Sequence, residues 1–115
     1  MVHMLNIEKT VIDYLNKNGF KAYAQVPKDR PQEFLLVERT GGGSHNVAMD
    51  KPAVAVQCWS SSRYKASELA YKVNECMLKM NVLKEICSVK NENLYNFPAE
   101  DSERYQTTYT ITHYK

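Results

Sequence analysis

A near-continuous apolar run, Ala53-Val54-Ala55-Val56-Gln57-Cys58-Trp59, feeds through Ser60-Ser61-Ser62 into a long amphipathic segment ending near Met80, and this unit constrains the fold more than any other stretch. So apolar a run suits a strand covered on both faces. In the segment after it, Ala66, Leu69, Ala70, Val73, Cys76, Met77 and Met80 recur at three- and four-residue spacing, while Glu68, Lys72, Glu75 and Lys79 line the opposite side. That is a helix with one buried stripe. Glu68 precedes Lys72, and Glu75 precedes Lys79, by four residues, the favourable orientation for exposed helix pairs, so the polar stripe reads as a solvated face. One of the three serines is expected to cap the helix by accepting from an N–H of its first turn.

The rest of the chain packs around that unit. Met4 to Asn18 places Leu5, Ile7, Val11, Ile12 and Leu15 on one side of a helix, and Asn18-Gly19 supplies a left-handed stop. Phe20 to Val26 alternates as a first strand and Phe34 to Thr40 as a second. The turn residues Pro27-Lys28-Asp29-Arg30-Pro31 between them predict an antiparallel hairpin. Gly41-Gly42-Gly43-Ser44-His45-Asn46 has no apolar period and is expected to form a mobile loop, with Asp50-Lys51-Pro52 turning the chain into the central strand. Val82 to Lys90 reads as a strand whose alternation slips near Ile86-Cys87, either through a bulge or because the helix continues past Asn81. A short extended piece, Leu94 to Pro98, and an acidic loop, Ala99 to Glu103, follow. Tyr105 to Tyr114 then alternates strictly: Tyr105, Thr107, Tyr109, Ile111 and His113 on a packed face, and Gln106, Thr108, Thr110, Thr112 and Tyr114 on a wet one. The expected fold is one α+β domain over residues 1–115, in the order α-β-β-β-α-β-β, with two helices on a roughly five-stranded, mostly antiparallel sheet.

Composition bounds function. With 115 residues there is room for one core, and 43% hydrophobic with 24% charged residues is ordinary globular usage. A formal charge of +2 is too balanced for a dedicated nucleic-acid surface, and Arg30, Arg39, Arg63, Tyr64 and Lys65 are interleaved with acids. No apolar run approaches bilayer length, and the N-terminus lacks the regions of a signal peptide, so the chain reads as cytosolic where it is made. Cys58, Cys76 and Cys87 sit within strand and helix patterns, which predicts three buried free thiols.

No catalytic pattern emerges. The triple glycine is followed by no helix and no Lys-Ser/Thr, so it is a hairpin tip and not a phosphate loop. His3, His45 and His113 stand singly, and the cysteines lack metal-site spacing. The serines at the strand-to-helix turn lack the glycines of a nucleophile elbow. Glu33, Glu38, Glu100, Asp101 and Glu103 fall at strand ends or in loops, where carboxylates are usually solvated. Neither an enzyme nor a cofactor is expected. What remains is binding or assembly.

Several stretches carry a resemblance: Val26-Pro27 with Arg30-Pro31, the strand running into Arg39-Thr40-Gly41-Gly42, the Asp50-Lys51-Pro52 entry to Val54 through Trp59, the Ala-containing helix after it, and the closing Arg104-Tyr105 strand. In these, and in the order of its elements, the chain resembles the small tail terminator proteins of long-tailed bacteriophages of Gram-positive hosts. The resemblance implies a virion protein that forms a hexameric ring on the head-proximal end of the tail tube. There it would end polymerisation and receive the head. Its partners would be other copies of itself, the tube protein and the head-tail connector, with no membrane and no specific nucleic acid. Gly41, Gly42, Gly43, Ser44, His45 and Asn46, and Glu100, Asp101 and Glu103, are the candidate interface loops, since loops without internal support often order on a partner. The rival readings are another head-tail connector component, a small nucleic-acid-binding module and a small enzyme.

Overall fold

The computed structural model describes residues 5–98 and 102–115. The elements run α1 (Ile7–Lys17), β1 (Ala22–Tyr23), β2 (Phe34–Ser44), β3 (Met49–Ser60), α2 (Arg63–Leu78), a 3₁₀ turn (Met80–Val82), β4 (Ile86–Asn96) and β5 (Glu103–Tyr114). The order expected from the sequence is the order found. The five strands form one sheet in the spatial order β1-β2-β3-β5-β4. β2 with β3, β3 with β5 and β5 with β4 are antiparallel. β3 and β4 therefore run parallel, joined over the sheet by α2, with β5 inserted between them as in a split β-α-β unit.

The sheet is mixed, because β1 lies parallel to β2. The expected hairpin is not there, and β1 is two residues long. Asn16 of α1 explains both facts. Its side-chain amide donates to the Ala22 carbonyl at 3.1 Å and its Oδ1 accepts from Ala22 N–H at 2.9 Å, imitating a neighbouring strand for one residue only. The chain then travels back through Pro27 and Pro31, so β2 starts beside β1 and not opposite its end.

Each helix begins on the cap its sequence offers. Asn6 Oδ1 accepts from Lys9 N–H, and Ser62 Oγ accepts from Lys65 N–H, both at 3.2 Å. Gly19, at φ +94°, follows α1 as the left-handed stop. Both helices lie on one face of the sheet. There Val11 and Leu15 of α1, and Ala66, Leu69, Ala70, Val73 and Met77 of α2, bury Leu35, Val37, Val54, Val56, Cys58, Tyr109 and Ile111. Tyr14 Oη donates to the Cys76 carbonyl at 2.7 Å and ties the helices together.

β3 is thus covered by helices on one face, not on two. Its other row is Ala53, Ala55, Gln57 and Trp59, and neighbouring side chains close part of it. Threonines 108, 110 and 112 of β5 lie on that same helix-free side, as the alternation predicts. The slip at Ile86-Cys87 is a bulge, because the β4–β5 register steps between Ile86 and Ser88. β4 then runs on through the separate extended piece expected at Leu94. Of the three thiols only Cys58 is fully buried, with Cys76 and Cys87 half-buried, and all three are free.

Burial raises the pKa of the Cys58 thiol and of the Tyr109 phenol, and Tyr14 is pushed up to about 12, first by burial and then by hydrogen bonding to Cys76. All three are neutral when folded and ionise more readily when unfolded. Their contribution to stability is complete below the ordinary values and is lost as pH climbs past them. Denaturant midpoints are expected to be flat up to about pH 8 and to fall from the ordinary thiol value of 9.0 upward. In Cys58→Ala the first part of that fall, below the ordinary phenol value of 10.0, is expected to shrink to the part that the Cys76 thiol, also raised by burial, still contributes.

Candidate assembly surfaces

The glycine tract is strand, not loop. Gly41, Gly42, Gly43 and Ser44 pair with Ala53, Pro52, Lys51 and Asp50, so β2 and β3 continue to the end of the sheet as an arm whose β2 side is exposed, while Met49 and Asp50 on its other side also pair with Tyr114 and His113 of β5. Propensity would not place glycines there. Pairing to β3 does, and one glycine is obligatory. Gly42 has φ +81°, and a Cβ on it would sit 2.7 Å from Ala53 N and from Pro52 Cα. Thr40 is the extra residue of a bulge, where the register steps from Arg39↔Val54 to Gly41↔Ala53. Pro52 cannot donate, and the β3–β5 ladder skips Lys51 and Pro52.

The arm ends in a built turn. Asn46 Oδ1 accepts from Ala48 N–H and Met49 N–H, each at 2.9 Å, and His45 N–H donates to the Met49 carbonyl at 3.0 Å. Ser44 Oγ donates to Asp50 Oδ1 at 3.1 Å. Lys115 N–H donates to the Ala48 carbonyl, also at 3.0 Å, so the end of the chain braces the turn. At its tip Val47 is 95% exposed. The outer edge of the arm, beyond Leu36, pairs with no other strand among the described residues.

The candidate loops do not come together. Glu103 opens β5 opposite Ser60, at the far end of the sheet from Ser44 and Asn46. Glu100 and Asp101 lie outside the described residues.

Two further surface features escaped the sequence reading. On α2, Tyr64 (72% exposed), Tyr71 (62%) and Leu78 repeat every seven residues, forming an apolar stripe opposite the buried one, and Val82 in the 3₁₀ turn that follows is also exposed. Spacing alone would have shown it. The second lies on the helix-free face at the Trp59 end. Trp59 stacks on Phe34 at 5.2 Å, Tyr23 meets Phe34 edge-on at 6.2 Å, and Arg104 lies over Trp59 at 5.1 Å and over Phe97 at 4.4 Å. Arg30 also faces the indole, at 5.6 Å. Beneath, Gln57 Oε1 accepts from Trp59 Nε1 and from Arg104, while the Gln57 amide donates to Gln106 Oε1 and that of Gln106 to Tyr95 Oη. These residues come from five separate stretches, so no local pattern announces them.

Chemically, these surfaces are a turn-tipped arm, an apolar helix stripe and an aromatic–guanidinium stack. Among the described residues, no group of three or more His, Cys, Asp or Glu is placed to hold a metal ion, and no helix is long and apolar enough to cross a membrane. The chain belongs to the phage tail termination protein family, whose model matches residues 3–91. The protein is accordingly a structural component of phage tail morphogenesis, and membership places it in the virion. No curated protein matches the sequence.

Gly42→Ala forces a side chain into left-handed backbone against β3 and is expected to cost about 1–2 kcal/mol, with lost amide-exchange protection in the arm. Gly43→Ala, with nothing within 4 Å of the new methyl, is the control and should change little. Arg104→Ala removes the guanidinium from both rings and is expected to cost about 1–2 kcal/mol. Emission from the single tryptophan should shift to the red as Trp59 is uncovered.

Proposed function

We propose that the protein caps the head-proximal end of the finished tail tube as a hexameric ring, ends tube polymerisation, and presents its outer surface to the head-tail connector. The observation that carries this reading is the arm. A subunit of a closed ring contacts two different neighbours through two different surfaces, and such a contact favours elements that leave the body of the subunit already ordered. The β2–β3 arm is such an element, and Gly41 to Asn46 form its distal half. Glu103 and the residues just before it, Glu100 and Asp101, would contribute to a contact at the other end of the sheet. The working unit in this reading is the whole of residues 1–115, since the matched segment ends inside β4 and lacks β5, which lies between β3 and β4.

The test is electron microscopy of particles made without this gene. Overlong tubes together with filled, unattached heads are the expected result. Tubes of normal length that merely fail to join heads would reassign the protein to the connector, and fully normal particles would overturn the reading.

A further inference from the structure

We infer that the exposed face of α2 is a self-association surface, on which a second copy of the chain lays its own α2 antiparallel about a two-fold axis. The inference is independent of the ring reading, because a two-fold contact is complete with two copies and neither builds nor requires a closed ring.

The apolar part of this face is the row Tyr64, Tyr71 and Leu78, all exposed. At about 100° per residue, the row is bordered on one side by Glu68 and Glu75 and then by Lys72 and Lys79, and on the other by the uncharged Ser67 and Asn74. Glu68 and Lys72, and Glu75 and Lys79, stand four residues apart on the helix. Yet among the described residues none of these four side chains is in an ion pair or a hydrogen bond. The charged flank therefore keeps a pairing capacity that its own chain does not use.

Symmetry decides which flanks meet. When two copies of a helix face each other antiparallel, each flank lies beside the same flank of the other copy; when they are parallel, opposite flanks meet. A parallel pair would set the charged flank against Ser67 and Asn74 and leave its charges unmatched. An antiparallel pair with its axis level with the link from Val73 to Asn74 sets Glu68 level with Lys79 of the second copy and Lys72 level with its Glu75, and the axis repeats both pairs. In that same register Tyr71 and the second copy's Leu78 are offset by about 3 Å along the helix, so they interleave. Other registers lose this agreement. Setting Tyr71 level with the second copy's Tyr71 brings Glu68 beside Glu75, and setting it level with Leu78 brings Glu75 beside Glu75, where like charges repel. The apolar row and the charged flank thus select one and the same arrangement. A face of 16 helical residues is about 24 Å long, at the lower end of interface sizes, so the pair is a reversible one.

The test is sedimentation equilibrium of the full chain and of two charge variants over a concentration series. In one variant, Glu68→Lys with Glu75→Lys makes the flank wholly basic; in the other, Lys72→Glu with Lys79→Glu makes it wholly acidic. The unchanged chain is expected to show a monomer–dimer equilibrium. Each variant alone is expected to associate at least about tenfold more weakly, with unchanged circular dichroism, and an equimolar mixture of the two to recover dimers of mixed composition. Tyr71→Lys, which charges the middle of the apolar row, is expected to weaken the dimer about tenfold or more. A chain that stays monomeric up to about 1 mM would overturn the inference. So would variants that associate like the unchanged chain, or a mixture that recovers no mixed dimer. Closed rings that respond to neither charge variant nor Tyr71→Lys would overturn it and leave the ring reading standing.

Discussion

The architecture depends on the pairing of β3 with β5. β3 is the apolar centre of the sequence, and β5, last in the chain, is the strand that gives it a second neighbour. Until β5 arrives, α2 carries the chain over to β4 with a gap in the sheet where β5 belongs. Filling it joins residues about fifty positions apart, such as Val54 with Tyr109 and Val56 with Thr107. Both valines and Tyr109 become fully buried against α2 in the same step. Burial of side chains of this size is worth about 1.5–3 kcal/mol each. The fold therefore couples elements across nearly its whole length.

With both helices on one side, the other face of the sheet must be managed differently. At the arm end it stays wet, with threonines and Lys90. At the Trp59 end it is closed by side chains of its own strands and of the loop before β2. The indole is sandwiched between Phe34 and two guanidinium groups, and the glutamine pair below satisfies the polar atoms. An arginine laid flat on a ring covers apolar area without giving up all its hydration, and contributes about 0.5–2 kcal/mol in doing so. This serves as a substitute for a third layer. It also explains how Trp59 remains buried on a face that no helix covers.

Local pattern made legible those elements whose neighbours agree with their intrinsic preference. The three- and four-residue period of α2, the cap at Ser62, the apolar run of β3 and the alternation of β5 all appear where the sequence puts them. Elements specified by distant partners were not legible. Ala22 is a strand residue because Asn16 brackets its backbone, and no periodicity encodes that bracket. Gly41 to Ser44 look like a flexible tip until β3 is laid beside them, when the left-handed Gly42 and the donor-less Pro52 become two halves of one close approach. Gly41 to Asn46, expected as a mobile loop, are strand and a hydrogen-bonded turn. The Tyr64-Tyr71-Leu78 stripe is legible in its seven-residue spacing and shares the exposed side of α2 with the charged residues.

The edges of the sheet show how such a subunit avoids unlimited growth. On one side β4 is bulged at Cys87 and at Glu92 and carries Lys90 and Glu92, features that break the even row of donors and acceptors another strand would need. On the other, β1 offers only two residues, its backbone engaged by Asn16, and the β2 N–H at Arg39 beyond it is taken by the Glu8 carboxylate at 2.8 Å. Open-ended strand addition is thus hindered along both borders, and in the glycine arm the Gly41 carbonyl also accepts from Arg39 Nε at 3.1 Å. A subunit with guarded sheet edges favours a limited set of neighbours over an indefinite stack. That property suits a member of a family of phage tail termination proteins.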